Sequence, residues 1–260
     1  MDVKTSIADT LPYIDFCNKI MSGEIPIESF RRHPDYDLVV PGNRDGSEMF
    51  EHLELLKTKF PEMIEKMDVF VKNQGVFGYP KTYDFGWGKM DVPLIIQIYY
   101  LALTIRAFGD LSGMKICEIG PGAGLFFKVL TDLYSDVEYT FVDLDAPLCI
   151  VSKHVKHLGR EKSVKKHLSC QAVSDNTDKY DLVVSDCAFN ELHRNMQKVY
   201  IEKLLNVADR GRIAFYPSKI TVCGEESFGV EETCDLLCHK TKEIKLDLRV
   251  PTLYWNEIGE

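Results

Sequence analysis

The second half of the chain alternates short apolar runs with amphipathic stretches. The apolar runs predict five strands, at residues 114–119, 138–142, 167–172, 180–185 and 212–216. Stretches of helical period between them predict helices over residues 125–134, 146–158 and 195–208. Strands joined by helices of this length form a parallel, doubly wound sheet. Residues 242–258 alternate and predict the last edge strands, so we expect an α/β fold with a Rossmann-like, mostly parallel seven-stranded sheet.

The first part of the chain has helical periodicity instead. Apolar spacing predicts helices over residues 7–21 and 47–71, with Ser47 as a helix N-cap, and the intervening residues 23–46 read as loop. We therefore divide the chain into residues 1–86, an N-terminal helical appendage that shapes the acceptor pocket, and residues 87–260, the α/β domain.

Two segments join these parts. Residues 75–90, GVFGYPKTYDFGWGKM, are dense in glycine and aromatic residues and have no clean period, which predicts a lid or a packed connector. Residues 92–108 are apolar nearly all round, which predicts a helix buried between two layers.

Charge and composition narrow the function. The chain has 260 residues and a net charge of −9, which argues against a general nucleic-acid binder. A basic stretch over residues 153–167 reads as a solvated helix and loop face, or alternatively as a patch for an anionic group such as a sugar nucleotide. No apolar run approaches the ~20 residues of a membrane span, and we expect no signal peptide.

The eight cysteines include no C-x-x-C pair. Several lie in apolar runs, where free cysteine behaves as a small hydrophobe, so we expect reduced thiols and a cytoplasmic protein. Cys234, Cys238 and His239 could be metal ligands, but cysteines four apart on a helix are the commoner explanation, and we predict no metal site.

The run KICEIGPGAGLFFKVL, residues 115–130, is the first candidate site. An apolar strand leads through Glu118 to three glycines, Gly120, Gly122 and Gly124, and then to a helix. Glycines at such a turn let the backbone approach a ligand, which then sits at the helix N-terminus. A dinucleotide fold has G-x-G-x-x-G, whereas the spacing here is G-x-G-x-G with Leu125 in the third place.

The second candidate site is YTFVDLDAPL. Asp143 ends a predicted strand 25 positions after Glu118, a distance at which an acid can accept the hydroxyls of a ribose. We assign Asp145 to the N-cap of the next helix and expect Leu144 to pack against a base.

The third is YDLVVSDCAFNELHR, residues 180–194, in which a buried strand is followed by polar residues. Together the three motifs resemble, in order and spacing, those of class I S-adenosylmethionine (SAM) methyltransferases. A narrower resemblance is to the putative sugar O-methyltransferase family. It rests on DFGWG, on the tyrosine-rich IIQIYYLALTIRAFG, and on EIGPGAG, VDLDAPL and SDCAFNEL, with Leu192 in place of a methionine.

The resemblance implies a cofactor site. Glu118 would face the methionine part of SAM, the loop Gly120, Pro121, Gly122 and Gly124 would approach it, and Asp143 would bind its ribose. The remaining predicted cofactor contacts are Leu144, Gln171, Ala172, Ser185 and Trp87. Trp87, with Tyr83 and Phe85, could close over the sulfonium, because aromatic faces suit onium cations, or could simply pack the connector against the sheet.

A sugar hydroxyl needs a base before it attacks a methyl group. His193 is our first choice, since its ordinary pKa suits a base at neutral pH. Glu191 is the second, or it could orient His193 or hold substrate hydroxyls, while Asp186 could contact cofactor or acceptor.

We therefore expect a SAM-dependent O-methyltransferase acting on a sugar or other polyhydroxylated small molecule and releasing S-adenosylhomocysteine (SAH). The alternatives are an N- or C-methyltransferase of another small molecule or of a protein, and a non-catalytic methyltransferase-like binding module. The chain lacks the N-P-P-Y type of tetrapeptide found in many amino-methylating relatives.

Overall fold

A seven-stranded sheet forms the centre of the protein. The computed structural model describes residues 6–10, 12–37, 47–72, 77–239, 242–247 and 250–257. The strands are β1 Lys115–Ile119, β2 Glu138–Asp143, β3 Val164–Ser169, β4 Tyr180–Asp186, β5 Ala208–Ala214, β6 Lys242–Asp247 and β7 Val250–Trp255. Their order is β6-β7-β5-β4-β1-β2-β3. Neighbours among β1–β5 pair in parallel, and β7 runs antiparallel to both β5 and β6. The predicted fold class is confirmed.

Helices cover both faces of this sheet. They are α1 Tyr13–Ser22, α2 Pro34–Asp37, α3 Ser47–Lys59, α4 Pro61–Ile64, α5 Met67–Lys72, α6 Val92–Phe108, α7 Leu125–Leu133, α8 Asp145–Leu158, α9 Arg194–Tyr200 and α10 Val230–Leu236. The α6 bounds coincide with the prediction, because Asp91 caps the helix by accepting a hydrogen bond from the Leu94 amide at 2.7 Å, and Gly109 ends it. Helix α9 continues into a π-helical turn over Ile201–Leu205.

The N-terminal helices are part of the core. One hydrophobic cluster packs α3 and α5 with α6 and α7 against the sheet. The second cluster, which holds the apolar face of α1, includes residues of β1, β4 and β5. Helix α1 lies against α8. Because N-terminal residues enter both clusters, the division at residue 86 stays a prediction about sequence organisation.

Strand β3 begins and ends three residues before the prediction. The segment after it, Cys170–Asp175, is a 3-10 helix. The prediction is wrong here because β3 is an edge strand that pairs only with β2, so its polar VKKH start is tolerated. Strand β5 likewise begins at Ala208, before the predicted residue 212. Its first residues, ADRGR, are mostly charged, so they lack the apolar pattern that predicts a strand.

The segments predicted to lack regular structure contain short elements. Residues 30–32 form a 3-10 helix, and α2 follows; residues 38–46 lie outside the described part of the chain. In the connector, Tyr83–Asp84 pairs with Lys89–Met90 as a small antiparallel hairpin, and residues 75 and 76 are not described. The side chain of Ser47 also lies outside the described residues, so its predicted role as N-cap stays a prediction.

All eight cysteines are described as free thiols. Within the described residues, no helix is long and apolar enough to cross a membrane. The same residues hold no group of three or more His, Cys, Asp or Glu side chains arranged to bind a metal ion.

Candidate functional site

A cavity of about 570 Å³ opens at the carboxyl ends of β1, β2 and β4, the edge at which open α/β sheets bind ligands. Its strand-tip wall consists of the ends of these strands and the loops that follow β1, β2, β4 and β5. Its helical wall comes from α3 and α6, and consists of Glu51, His52, Pro93, Ile96, Gln97, Tyr99 and Tyr100. N-terminal residues Ser6, Ala8 and Tyr13 also line it.

The glycine loop, residues 120–124, is part of the strand-tip wall. Gly120 has φ +69°, and a Cβ there would lie 2.0 Å from the Cβ of Ala188 in the loop after β4, so only glycine fits. Gly120, Pro121 and Gly122 line the cavity. Gly124 has a left-handed backbone conformation at the N-cap of α7. It is not among the residues that line the cavity, so glycine is needed here for the turn into the helix.

Glu118 points from β1 into the cavity wall. Its carboxylate accepts a hydrogen bond of 2.8 Å from the Tyr139 hydroxyl on the neighbouring β2. Burial raises the pKa of Glu118 to about 8, although this hydrogen bond opposes the shift. A cation brought to this carboxylate would restore its charge.

Asp143 stands at the end of β2, one strand away. Its carboxylate accepts a hydrogen bond of 2.7 Å from the Leu144 amide, and burial raises its pKa to about 7 against that bond. Leu144 is buried and lines the cavity. Leu144, not Asp145, is the N-cap residue of α8, and Asp145 is its exposed first helical residue, so the predicted cap is wrong.

At the end of β4, Asp186 lines the cavity and forms an ion pair of 2.7 Å with Arg212 of β5. Arg212 is fully buried, and its Nε donates to the Thr104 hydroxyl of α6 at 3.0 Å. Burial disfavours the charge of Arg212, but the Asp186 carboxylate more than offsets this and raises its pKa. The network therefore links Asp186 through Arg212 to α6.

Glu191 follows in the 3-10 helix after β4 and also lines the cavity. Its carboxylate accepts a hydrogen bond of 2.9 Å from the hydroxyl of Tyr216, which follows β5. Burial raises the pKa of Glu191 to about 7, and the bond from Tyr216 opposes the shift. A carboxylate with a pKa near 7 is suited to accept a proton at neutral pH.

His193, our first choice as base, is not among the residues that line the cavity. It is the N-cap of α9, where its Nδ1 accepts a hydrogen bond from the Asn195 amide at 3.3 Å. Its Nε2 lies 3.4 Å from the Glu225 carboxylate. Both ring nitrogens are therefore occupied away from the cavity.

Several predicted cofactor contacts also lie elsewhere. The Ser185 hydroxyl is buried, donates to the Ile119 carbonyl at 3.0 Å and accepts from the Phe189 amide at 3.2 Å, which ties β4 to β1. Gln171 is exposed and Ala172 half-buried in the 3-10 helix after β3, where Cys170 lines the cavity instead. Trp87, Tyr83 and Phe85 pack against the cluster of α3 and α6, as the alternative of a packed connector predicts.

The sequence reasoning missed Tyr216, Arg212 and the helical wall. Two signals were present: Arg212 is a charged residue inside an apolar strand, and Gln97 is a polar residue inside the apolar run IIQIYY. The Gln97 Oε1 is buried and accepts no hydrogen bond from a described residue. Nothing in the sequence signals Tyr216, because its role depends on β5 lying beside β4.

The charged side chains that line the cavity are all acidic. Five carboxylates line it, those of Glu51, Glu118, Asp143, Asp186 and Glu191. No lysine or arginine among the described residues does so. The basic residues Lys153, Lys156 and His157 line a separate groove beside Phe77 and Tyr79. The cavity therefore suits a cationic ligand, such as one with a sulfonium and an ammonium group.

No family model and no curated protein sequence matches the chain. Similar solved structures include a protein from Nostoc punctiforme PCC 73102 assigned to the O-methyltransferases, with 12% identity, a TM-score of 0.47, and 62% of this chain and 54% of that one covered. PigF with SAH has 12% identity and a TM-score of 0.49, with 81% and 73% covered. A SAM-dependent methyltransferase from Aquifex aeolicus has 18% identity and a TM-score of 0.43, with 55% and 82% covered.

The chain thus covers just over half the length of the Nostoc protein. SAM-dependent methyltransferases and an SAH complex are among these similar structures. Their identities are low, and the site residues themselves carry the functional argument that follows.

Proposed function

We propose that the protein is a SAM-dependent O-methyltransferase that methylates a hydroxyl of a sugar or another polyhydroxylated small molecule. The observation that supports it most is the placing of Glu118, the glycine loop, Asp143 and the Glu191–Tyr216 pair around one cavity. The first three suit the cofactor, and the last suits proton removal from a hydroxyl.

The residues present fit SAM. Glu118 is a buried carboxylate whose pKa is raised by burial, and the ammonium group at the amino-acid end of the cofactor would favour its ionised form. Asp143 is placed to accept hydrogen bonds from ribose hydroxyls, and Leu144 offers an apolar contact to the base. Gly120, Pro121 and Gly122 line the cavity, so the backbone of this loop can face the cofactor. When bound, SAM supplies an electrophilic methyl group on a sulfonium.

Glu191 is the proposed base. It accepts the proton of the attacking hydroxyl, and the hydrogen bond from the Tyr216 hydroxyl orients the carboxylate for that transfer. The proton is released afterwards to water, which restores the carboxylate. Asp186 is held at the end of β4 by its ion pair with Arg212 and lines the same cavity. The role first given to His193 therefore passes to Glu191.

Calorimetric titration of the protein with SAH tests the proposal. We expect binding that Asp143→Asn weakens and that Asp145→Asn, a change to an exposed neighbour, leaves unchanged. Methyl transfer from labelled SAM to a panel of sugars and polyols then tests the acceptor class. SAH binding without transfer to any acceptor would favour the non-catalytic module, and transfer to nitrogen or carbon would replace the O-methyl assignment.

A further inference from the structure

The residues of the helical wall indicate which acceptor the cavity binds. This inference rests on the proposed function. The cofactor residues proposed above all belong to the strand-tip wall. Gln97 and Glu51 belong to the helical wall and have no part in that assignment. The acceptor must therefore satisfy these two side chains as well as face Glu191.

Two side chains of the helical wall, Gln97 and Glu51, offer oxygen atoms that can accept hydrogen bonds from a ligand. The Gln97 Oε1 is buried, and no described residue donates to it. Glu51 forms no ion pair with a described residue. Tyr216 already donates its proton to Glu191. A buried oxygen without a donor is costly, so the ligand that completes this site should present an N–H or O–H group to Gln97 Oε1.

The balance of charge in the cavity restricts the possible ligands further. Of the five carboxylates that line the cavity, Asp186 alone is offset by a buried arginine. The cofactor carries one net positive charge. Burial leaves Glu118, Asp143 and Glu191 only partly ionised at neutral pH, but no lysine or arginine among the described residues lines the cavity, so the field of its side chains is negative. That field repels phosphates and carboxylates and attracts an ammonium group.

We propose that the acceptor carries an ammonium group beside its hydroxyl, as an amino sugar or an amino alcohol does. Gln97 Oε1 and Glu51 bind the ammonium, and the hydroxyl faces Glu191. Anionic acceptors, including sugar phosphates and sugar nucleotides, are excluded. The basic groove of Lys153 and Lys156 does not change this, because it is a different opening in the surface.

Saturation-transfer NMR on the SAH-loaded protein tests this without turnover. The probes are matched by skeleton and differ in charge: glucose, glucosamine and glucose 6-phosphate, together with glycerol, serinol and glycerol 3-phosphate. Measurements at pH 7 and low salt keep most of each amino probe in its ammonium form and limit the screening of charge. Prior calorimetry with SAH separates the outcomes, since failure to bind SAH contradicts the proposed function itself.

We expect the amino probes to bind about tenfold more tightly than their neutral partners, and the phosphates not to bind. Glu51→Gln should reduce that preference, whereas Glu62→Gln, an exposed change on α4, should not. Gln97→Glu should increase it, which keeps the test informative if a loss variant folds poorly. Equal binding of all three charge classes, tighter binding of the phosphates, or no binding of any probe to the SAH complex would overturn the proposal.

Discussion

The strand-tip wall and the helical wall of the cavity differ in how the chain builds them. The strand-tip wall takes Glu118, Asp143 and Asp186 from the ends of adjacent parallel strands, so sheet pairing alone brings them together. The helical wall takes Glu51 and Gln97 from helices α3 and α6, which meet only through packing. Under the proposed function, the cofactor residues therefore come from local sequence motifs, whereas the acceptor residues are brought together by tertiary contacts.

The largest expected effect separates proton removal from cofactor binding. Glu191→Gln should lower turnover by about 10²–10⁴-fold, since the amide cannot accept the proton, and should leave SAH affinity nearly unchanged. Single-turnover methyl transfer and calorimetry measure the two. His193→Gln is the control and should keep turnover within about threefold. Lost turnover in His193→Gln with full activity in Glu191→Gln would return the role to His193.

The next effect tests the strand-tip wall as the cofactor site. Asp143→Asn should weaken SAH binding by about 10–100-fold, because charge-assisted hydrogen bonds contribute about 1.5–3 kcal/mol. Gln97→Leu, in the helical wall, should leave SAH affinity unchanged. If both variants weakened SAH binding equally, the proposed division between the walls would be wrong.

A third prediction concerns stability. Glu118, Asp143 and Glu191 have pKa values raised to about 8, 7 and 7, so the folded protein holds protons that the unfolded chain releases. The free energy of unfolding of the ligand-free protein should therefore fall as pH rises from about 4.5 to 8. Thermal melts should show a decline of several degrees, about 2–4 °C for each kcal/mol lost.

Glu118→Gln is the variant that checks this pH dependence. Its melting temperature should decline less steeply over the same interval, because the most strongly shifted carboxyl is gone. Saturating SAH should also flatten the decline in the wild-type protein, since its cation stabilises the ionised carboxylates. Stability that rises from pH 5 to 8 would contradict the burial described for these groups.

The smallest expected effect sharpens the role of Tyr216. Its hydrogen bond lowers the pKa of Glu191 relative to burial alone, so Tyr216→Phe should move the acidic limb of the rate profile to higher pH. Turnover at pH 7 should fall about three- to tenfold and recover at pH 9. A loss that is equal at all pH values would instead indicate a role in shape.

The sequence predicts the sheet well, and it identifies Glu118, the glycine loop and Asp143, which line one cavity, because glycines and acids at strand ends are local signals. It predicts Ser185 and Gly124 as cofactor contacts, but their partners are backbone groups that only the folded chain supplies. It favours His193 over Glu191 on ordinary pKa values, and burial beside Tyr216 changes the pKa of Glu191. The pKa of a side chain depends on residues that are distant in the chain, and the spacing of residues in a sequence motif does not reveal those contacts.

The N-terminal helices fill both hydrophobic clusters and also supply part of the cavity wall. Shortening the chain to residues 87–260 would expose the apolar faces of α6 and α8 to water. Such a fragment should aggregate when expressed alone, and limited proteolysis should not release a stable catalytic core. Replacement of the N-terminal helices by those of another protein would therefore require repacking of the interior as well as of the cavity wall.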